Sequence, residues 1–234
     1  MEAKPYAELL ASSYVIEMMN RGTERRMTTT LYLTRHGETQ WNVEKRMQGW
    51  QDSPLTEKGR QDAKRLGQRL EAVELTAIYA STSGRAFETA ELVRGERPIP
   101  IYQDEQLREM HLGDWEGKTH DEIQQMDPVL FDHFWNAPHL YVPQRGERFW
   151  DVQQRALEAV QRIIARHQGK TVLVVTHGVV LKTLIAAFKG VPLDDLWAPP
   201  YMYGTSVTIV EAHHDEFRVI VEGDASHIKE IKKV

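Results

Sequence analysis

Residues 171–178 read Thr-Val-Leu-Val-Val-Thr-His-Gly. A near-continuous, β-branched apolar run is what a strand covered on both faces carries, because successive side chains point to opposite sides and both sides are dry. Such a strand belongs inside a mostly parallel sheet. Residues 30–34 (TLYLT) and 75–80 (LTAIYA) have the same character. Between and after these runs lie apolar stripes at helical spacing. Ala63, Leu66, Leu70 and Val73 form one, and Ala86, Ala90 and Val93 a second. Phe149, Val152, Ala156, Val160, Ile163 and Ile164 form a third, and Val179, Thr183, Ala186 and Ala187 a fourth. Strands alternating with helices predict a three-layer α/β/α sandwich, a mostly parallel sheet with helices on both faces. Residues 206–210 and 217–221 flank His-His-Asp-Glu and read as a hairpin.

The organisation that follows is an N-terminal extension over residues 1–27, helix or disordered tail, and a single domain over 28–234. The extension carries Tyr6, Leu9, Leu10 and Tyr14 at helical spacing but lacks the basic start and unbroken apolar core of a secretory signal. Residues 113–146 are irregular and aromatic, and read as a lid-like insertion. With 41% apolar and 27% charged residues the 234-residue chain has the balance of an ordinary globular protein. A net charge of −5 gives no reason to expect nucleic acid or an anionic membrane as partner. No apolar stretch is long enough to span a bilayer. Cysteine is absent, which excludes disulfides, thiolate metal sites and cysteine nucleophiles, and it fits a reducing compartment, so the cytoplasm is the expected location.

In open α/β sheets ligands bind beyond the carboxyl ends of the strands. After the first run comes Arg35-His36-Gly37-Glu38, after the second Ser81-Thr82-Ser83-Gly84-Arg85, and after the third His177-Gly178. Two arginines and two histidines therefore gather at one edge. The guanidinium fork matches phosphate oxygens, and a neutral imidazole is a competent nucleophile toward phosphorus. Arg35 and Arg85 should lower the pKa of His36 and keep it unprotonated near neutrality. The helix opening after Ser83 is expected to add its N-terminal amides to the anion site. Glu109, beside Arg108 and before a glycine turn, is the candidate proton donor to a leaving alkoxide. This set works by positioning and charge neutralisation, with no cofactor and no metal.

Residues 34–39 (TRHGET) with Trp41-Asn42 resemble the signature of the histidine phosphatase superfamily, the phosphoglycerate mutase-like family. The resemblance extends through residues 54–59 (PLTEKG), Ser81 to Arg85 with Glu88-Thr89-Ala90, Leu107-Arg108-Glu109, residues 113–117 (GDWEG) and Thr176-His177-Gly178. It covers about residues 28–225 and is nearest to the broad-specificity phosphatase PhoE branch; it says nothing of the first 26 residues. It implies a phosphoglycerate mutase-like fold, and hydrolysis of small-molecule phosphomonoesters through a phosphohistidine on His36. Arg35, Arg85, His177 and Gly178 would surround the phosphoryl group, Asn42 and Gln48 would line the same pocket, and Glu109 would act as general acid and then base.

Phe131, Phe134, Trp135 and Tyr141 are either core or an apolar substrate wall beside that pocket. The remaining histidines, His111, His120, His133, His139, His167, His213, His214 and His227, form no HExxH spacing for zinc. Residues 113–119 (GDWEGKT) resemble a P-loop, but that loop has four residues between its glycines and this stretch has three. Two alternatives to a phosphatase stay open. One is a phosphoglycerate mutase, although the stretch from Glu109 to His177 is short beside the insertion that shields phosphohistidine in cofactor-dependent mutases. The other is a binding protein without chemistry, although such proteins usually lose the nucleophile or the acid. Neither the physiological substrate nor the oligomeric state is legible.

Overall fold

The computed structural model describes residues 28–213 and 216–229; the expected N-terminal extension and the turn at His214 lie outside them. Six strands form one sheet: β1 (Thr29–Arg35), β2 (Leu75–Ser81), β3 (Ile101–Asp104), β4 (Thr171–Thr176), β5 (Val207–His213) and β6 (Glu216–Asp224). Their order is β3-β2-β4-β1-β5-β6. The first four are mutually parallel, and β5 and β6 add antiparallel pairs at the end. The TVLVVT run thus occupies the centre, paired on both sides, which explains why it is apolar at nearly every position.

Alternation along the strands divides the core in two. Leu31, Leu33, Ala77, Tyr79, Val172 and Val174 face one side. They meet α6 (Phe149–Arg166) and α7 (Gly178–Lys189). Ile78, Ala80, Leu173 and Val175 face the other side, against α2 (Glu57–Arg69) and α3 (Gly84–Arg94). Thr56 caps α2 by accepting from the Gly59 amide, with Glu57 in the first turn and Arg69 in the last, a charge order that suits the helix dipole. The helix stops at Arg69, so Leu70 and Val73 of the expected stripe lie beyond it, in the turn to β2. A four-residue α1 (Gln40–Val43) follows β1 and is closed by a capping box between Thr39 and Asn42.

Two features depart from the expectation. Strand β3 went unread because a half-exposed edge strand of four residues, Ile-Tyr-Gln-Asp, has no continuous apolar signal. The segment 113–146 is built into the body: it carries α4 (His120–Met126) and α5 (Pro128–Asn136). Its Trp115, Ile123, Phe134 and Tyr141 are buried in the same core as Phe149 and Val152. Of the two readings open for Phe134 and Tyr141, core or substrate wall, burial makes both core residues. Phe134 rings contact Tyr141, Phe149 and Trp197 at 5.2, 4.9 and 5.5 Å. Phe131 and Trp135 pack against this cluster from its half-buried margin.

Candidate active site

Strand β4 enters the sheet between β1 and β2, so chain order breaks on both of its sides, and the ends of all three strands converge. His36 follows β1, Ser81 ends β2, and His177 follows β4. His36 is held to the next strand by its amide, which donates to Thr176 O at 2.9 Å. The Gly37 amide donates to Thr89 Oγ1 of α3 at 3.0 Å. Both imidazoles are buried, their ring centroids 5.2 Å apart.

The hydrogen bonds assign the tautomer of His36. Its Nδ1 lies 2.7 Å from Gly37 O, and a carbonyl can only accept, so Nδ1 carries the proton. The lone pair is then on Nε2, where Arg85 Nε donates at 3.3 Å. Burial, then the charges of Arg85 and Arg35, hold the His36 pKa well below its usual 6.5, against the opposing Gly37 bond. His177 is shifted the same way by burial, Arg85, the neighbouring His36 and Arg35.

Arg85 is more constrained than two bare arginines facing a phosphate. Its guanidinium donates to His36 Nε2, His177 Nδ1, Gly49 O, Gln51 O and Asp52 Oδ1. Three of these acceptors fix its plane, and the two imidazole lone pairs mark the directions in which it could meet a ligand. Asp52 also corrects the expectation for the helix N-terminus. Its Oδ1 lies 3.5 Å from the Arg85 amide, and its Oδ2 would be 2.5 Å from a Cβ at Gly84. The protein's own carboxylate therefore sits at the start of α3, where the sequence reading had placed the substrate.

Arg35 supplies the less committed cation. Its Nη1 donates to Met202 O at 3.0 Å and lies 3.4 Å from the Tyr201 hydroxyl. Its Nε is a buried donor without a protein acceptor. Gly178 opens α7 beside it: a Cβ there would lie 3.7 Å from Arg35 Nε and 3.9 Å from Glu109 Oε2. Gln48 is buried with an unpartnered Oε1, next to the Gly49 carbonyl that holds Arg85. Asn42, expected in the same pocket, uses its Oδ1 to accept from the Thr39 amide and hydroxyl, both at 3.0 Å.

Glu109 reaches this edge from another direction. Its Oε1 accepts from the Met110 amide at 2.9 Å and its Oε2 from the Val179 amide at 3.3 Å. Behind it, Arg155 of α6 donates to the carbonyls of Gln106, Arg108 and Glu109 and pairs with Glu147. Trp50 indole Nε1 donates to Glu109 O at 2.9 Å, and the Arg108 guanidinium stacks over its ring at 4.1 Å. Glu116, within the aromatic segment, accepts from the amides of Trp50 and Gln51 and so braces the loop that cradles Arg85. Asp52, Arg155 and Trp50 were missed in the sequence because each acts through a contact distant along the chain, which even the neighbouring 54–59 segment and Gln48 do not announce for Asp52 and Trp50. Among the described residues no group of three His, Asp or Glu is placed to hold a metal ion.

The arrangement brings a lone-pair imidazole nitrogen, two guanidinium groups and a carboxylate to the end of a parallel sheet. Comparison with known proteins agrees. Residues 31–225 match the model of the histidine phosphatase superfamily, branch 1. The solved structure of YhfR from Bacillus stearothermophilus is 80% identical, superposes with a TM-score of 0.85, and is covered completely by 86% of this chain. Mycobacterial glucosyl-3-phosphoglycerate phosphatase is 31% identical with a TM-score of 0.77, over 83% of this chain and 98% of its own. Phosphoglycerate mutase-like protein 4 of Arabidopsis thaliana is 33% identical over 86% of this chain and 87% of its own. Site geometry, strand order and sequence match lead to one assignment: the chain belongs to branch 1 of the histidine phosphatase superfamily.

Proposed function

We propose that the protein is a metal-independent phosphomonoester hydrolase of the broad-specificity PhoE type, acting through a phosphohistidine on His36. The observation that carries this reading is the His36 Nε2 lone pair, fixed by the Gly37 carbonyl and aimed at Arg85. Nε2 attacks phosphorus in line, the bond to the leaving oxygen breaks, and Glu109 gives that oxygen a proton. Forming the N–P bond consumes the lone pair, so Arg85 Nε exchanges its imidazole acceptor for a phosphoryl oxygen. Arg35 Nε supplies a second donor, and the charge that develops is met by donors already in place. Water then attacks the phosphohistidine, with Glu109 taking its proton, and inorganic phosphate leaves.

With Phe134 and Tyr141 in the core, leaving-group recognition is assigned in this reading to the rim of the site. Trp50 and Tyr201 are 41% and 50% exposed although large and apolar, one touching the Glu109 carbonyl and the other Arg35. They favour esters with flat or apolar leaving groups. The test is phosphate release from a panel of aryl, alkyl and small charged phosphomonoesters, all with a strong chelator present. Aryl esters should lead in kcat/KM. Trp50→Ala should raise KM for them about fivefold or more and leave glycerol phosphate nearly unchanged, whereas Trp135→Ala should lower Tm without reordering the panel. A strict demand for added divalent metal would overturn the mechanism. Because some relatives bear the name phosphoglycerate mutase-like, 3-phosphoglycerate with a bisphosphoglycerate primer belongs in the same panel. Phosphate release exceeding isomerisation is the expected result. A chain without cysteine also suits the reducing cytoplasm.

Acid sensitivity follows from the lowered histidines. The nucleophile must be neutral, so the loss attributable to His36 comes only as pH falls through its folded-state pKa, well below 6.5. Corrected for substrate ionisation, kcat/KM should show no limb near 6.5. Stability behaves differently. Below about 6.5 the unfolded chain binds protons at these positions that the native site refuses, so Tm should fall as pH drops through that range.

A further inference from the structure

The two imidazoles present opposite tautomers to one guanidinium. Arg85 Nη2 approaches His177 Nδ1 at 3.2 Å. Arginine can only donate, so Nδ1 holds the lone pair and Nε2 carries the proton. That proton points at Ser81 Oγ, 2.8 Å away, with Ser83 Oγ more distant at 3.5 Å. Ser81 Oγ also accepts from the Ser83 amide at 3.3 Å and lies 3.2 Å from the Ser83 hydroxyl. Its two lone pairs are thus filled by His177 Nε2–H and the Ser83 amide, and its own hydrogen is left for Ser83 Oγ. All four groups, Arg85, His177, Ser81 and Ser83, are buried.

We infer that Ser81 is a positioning residue that holds His177 in the tautomer Arg85 selects, by accepting its Nε2–H as the Gly37 carbonyl accepts the Nδ1–H of His36. Each imidazole has one acceptor behind it, so both lone pairs converge on the guanidinium. Without Ser81, the buried Nε2–H of His177 loses its 2.8 Å acceptor, and the advantage of that tautomer over Nδ1–H shrinks. A proton on Nδ1 would face an Arg85 N–H, donor against donor, and push the guanidinium from the plane that also serves His36. A serine closing the second strand of the sheet is thereby part of the alignment of the reacting nitrogen, without touching substrate.

This inference rests on the proposed function only in its kinetic consequence, and the tautomer can be read without turnover. Nitrogen-15 spectra of the histidine rings in the free full-length enzyme should show His177 as Nε2–H at neutral pH. In Ser81→Ala the His177 signals should move toward Nδ1–H or an average of the two, and kcat should fall about ten- to a hundredfold, by analogy with the loss of a partner that orients a metal-ligating imidazole. Ser83→Ala, which removes no short bond to His177, should keep Nε2–H and stay within about threefold of wild-type kcat. An Nδ1–H tautomer in the wild type overturns the inference, and so does a Ser81→Ala variant that keeps both Nε2–H and wild-type kcat. Should Ser81→Ala fail to fold, the wild-type spectrum decides between Nε2–H and Nδ1–H by itself. If no phosphomonoester is turned over by any form, the function fails while the spectra still answer for Ser81.

Discussion

Replacing His36 by alanine should lower kcat for phosphomonoesters by more than about a hundredfold, since the variant loses the atom that forms the covalent intermediate. Nothing nearby can substitute. The His177 Nδ1 lone pair faces a different guanidinium nitrogen, and its other nitrogen is bound to Ser81. Alanine at a buried position also leaves a hole beside Arg85, so His36→Asn is the companion variant. Its carboxamide N–H can still reach the Gly37 carbonyl and keep the turn in place, yet it offers no nucleophile. Equal loss in both variants, with Tm retained in the second, would locate the effect in chemistry. The direct readout is a brief incubation of the wild type with substrate, quenched without acid, then mapping of an acid-labile phosphate to His36. A His36→Ala enzyme keeping more than about a hundredth of wild-type kcat would remove His36 from that role.

How much of this was readable before any coordinates depended on whether a signal was local. The TVLVVT run announces a central strand because burial on both faces constrains every residue in it, and the pairing of β4 with β1 and β2 agrees. Arg35, His36 and His177 could be named because they directly follow such strands. The aromatic segment stayed ambiguous because a period of large apolar residues reads the same whether it lines a cleft or fills a core. Phe134 and Tyr141 fill the core, and a more polar member of that segment, Glu116, is the one that reaches the site loop. Asp52 is 33 residues from its partner Arg85, and Arg155 is 46 from the Glu109 carbonyl it holds. Pairings at such separations are products of the folded sheet and carry no periodicity. Arg85 shows the same limit from the other side: its presence at the strand edge was legible, but not that protein acceptors already occupy all its donors.

Glu109 gives the second large effect, and its size should depend on the leaving group. A proton donor matters most where the departing oxygen is a strong base, and contributes about 10²–10⁴-fold in such cases. Glu109→Gln should therefore cut kcat/KM for an alkyl phosphate by two or more orders of magnitude. For an aryl phosphate, whose phenolate leaves with little help, the loss should be about tenfold or less. Geometry makes this contrast necessary as a control. Both carboxylate oxygens accept backbone amides, from Met110 and Val179, and glutamine would turn an NH₂ toward one of them. Misplacement of that kind would slow all substrates alike, because it disturbs the start of α7 next to His177 and Gly178. A loss that grows with leaving-group basicity can come only from the missing proton. If alkyl and aryl esters lose the same factor, Glu109 orients the helix start and the Arg35 side of the site, and the proton must reach the leaving oxygen by another path. The aryl ester also reports the second half of the cycle, where water attacks phosphohistidine and Glu109 acts as base. There Glu109→Gln should let the phosphoenzyme accumulate, visible as a burst of phenol release followed by slow turnover.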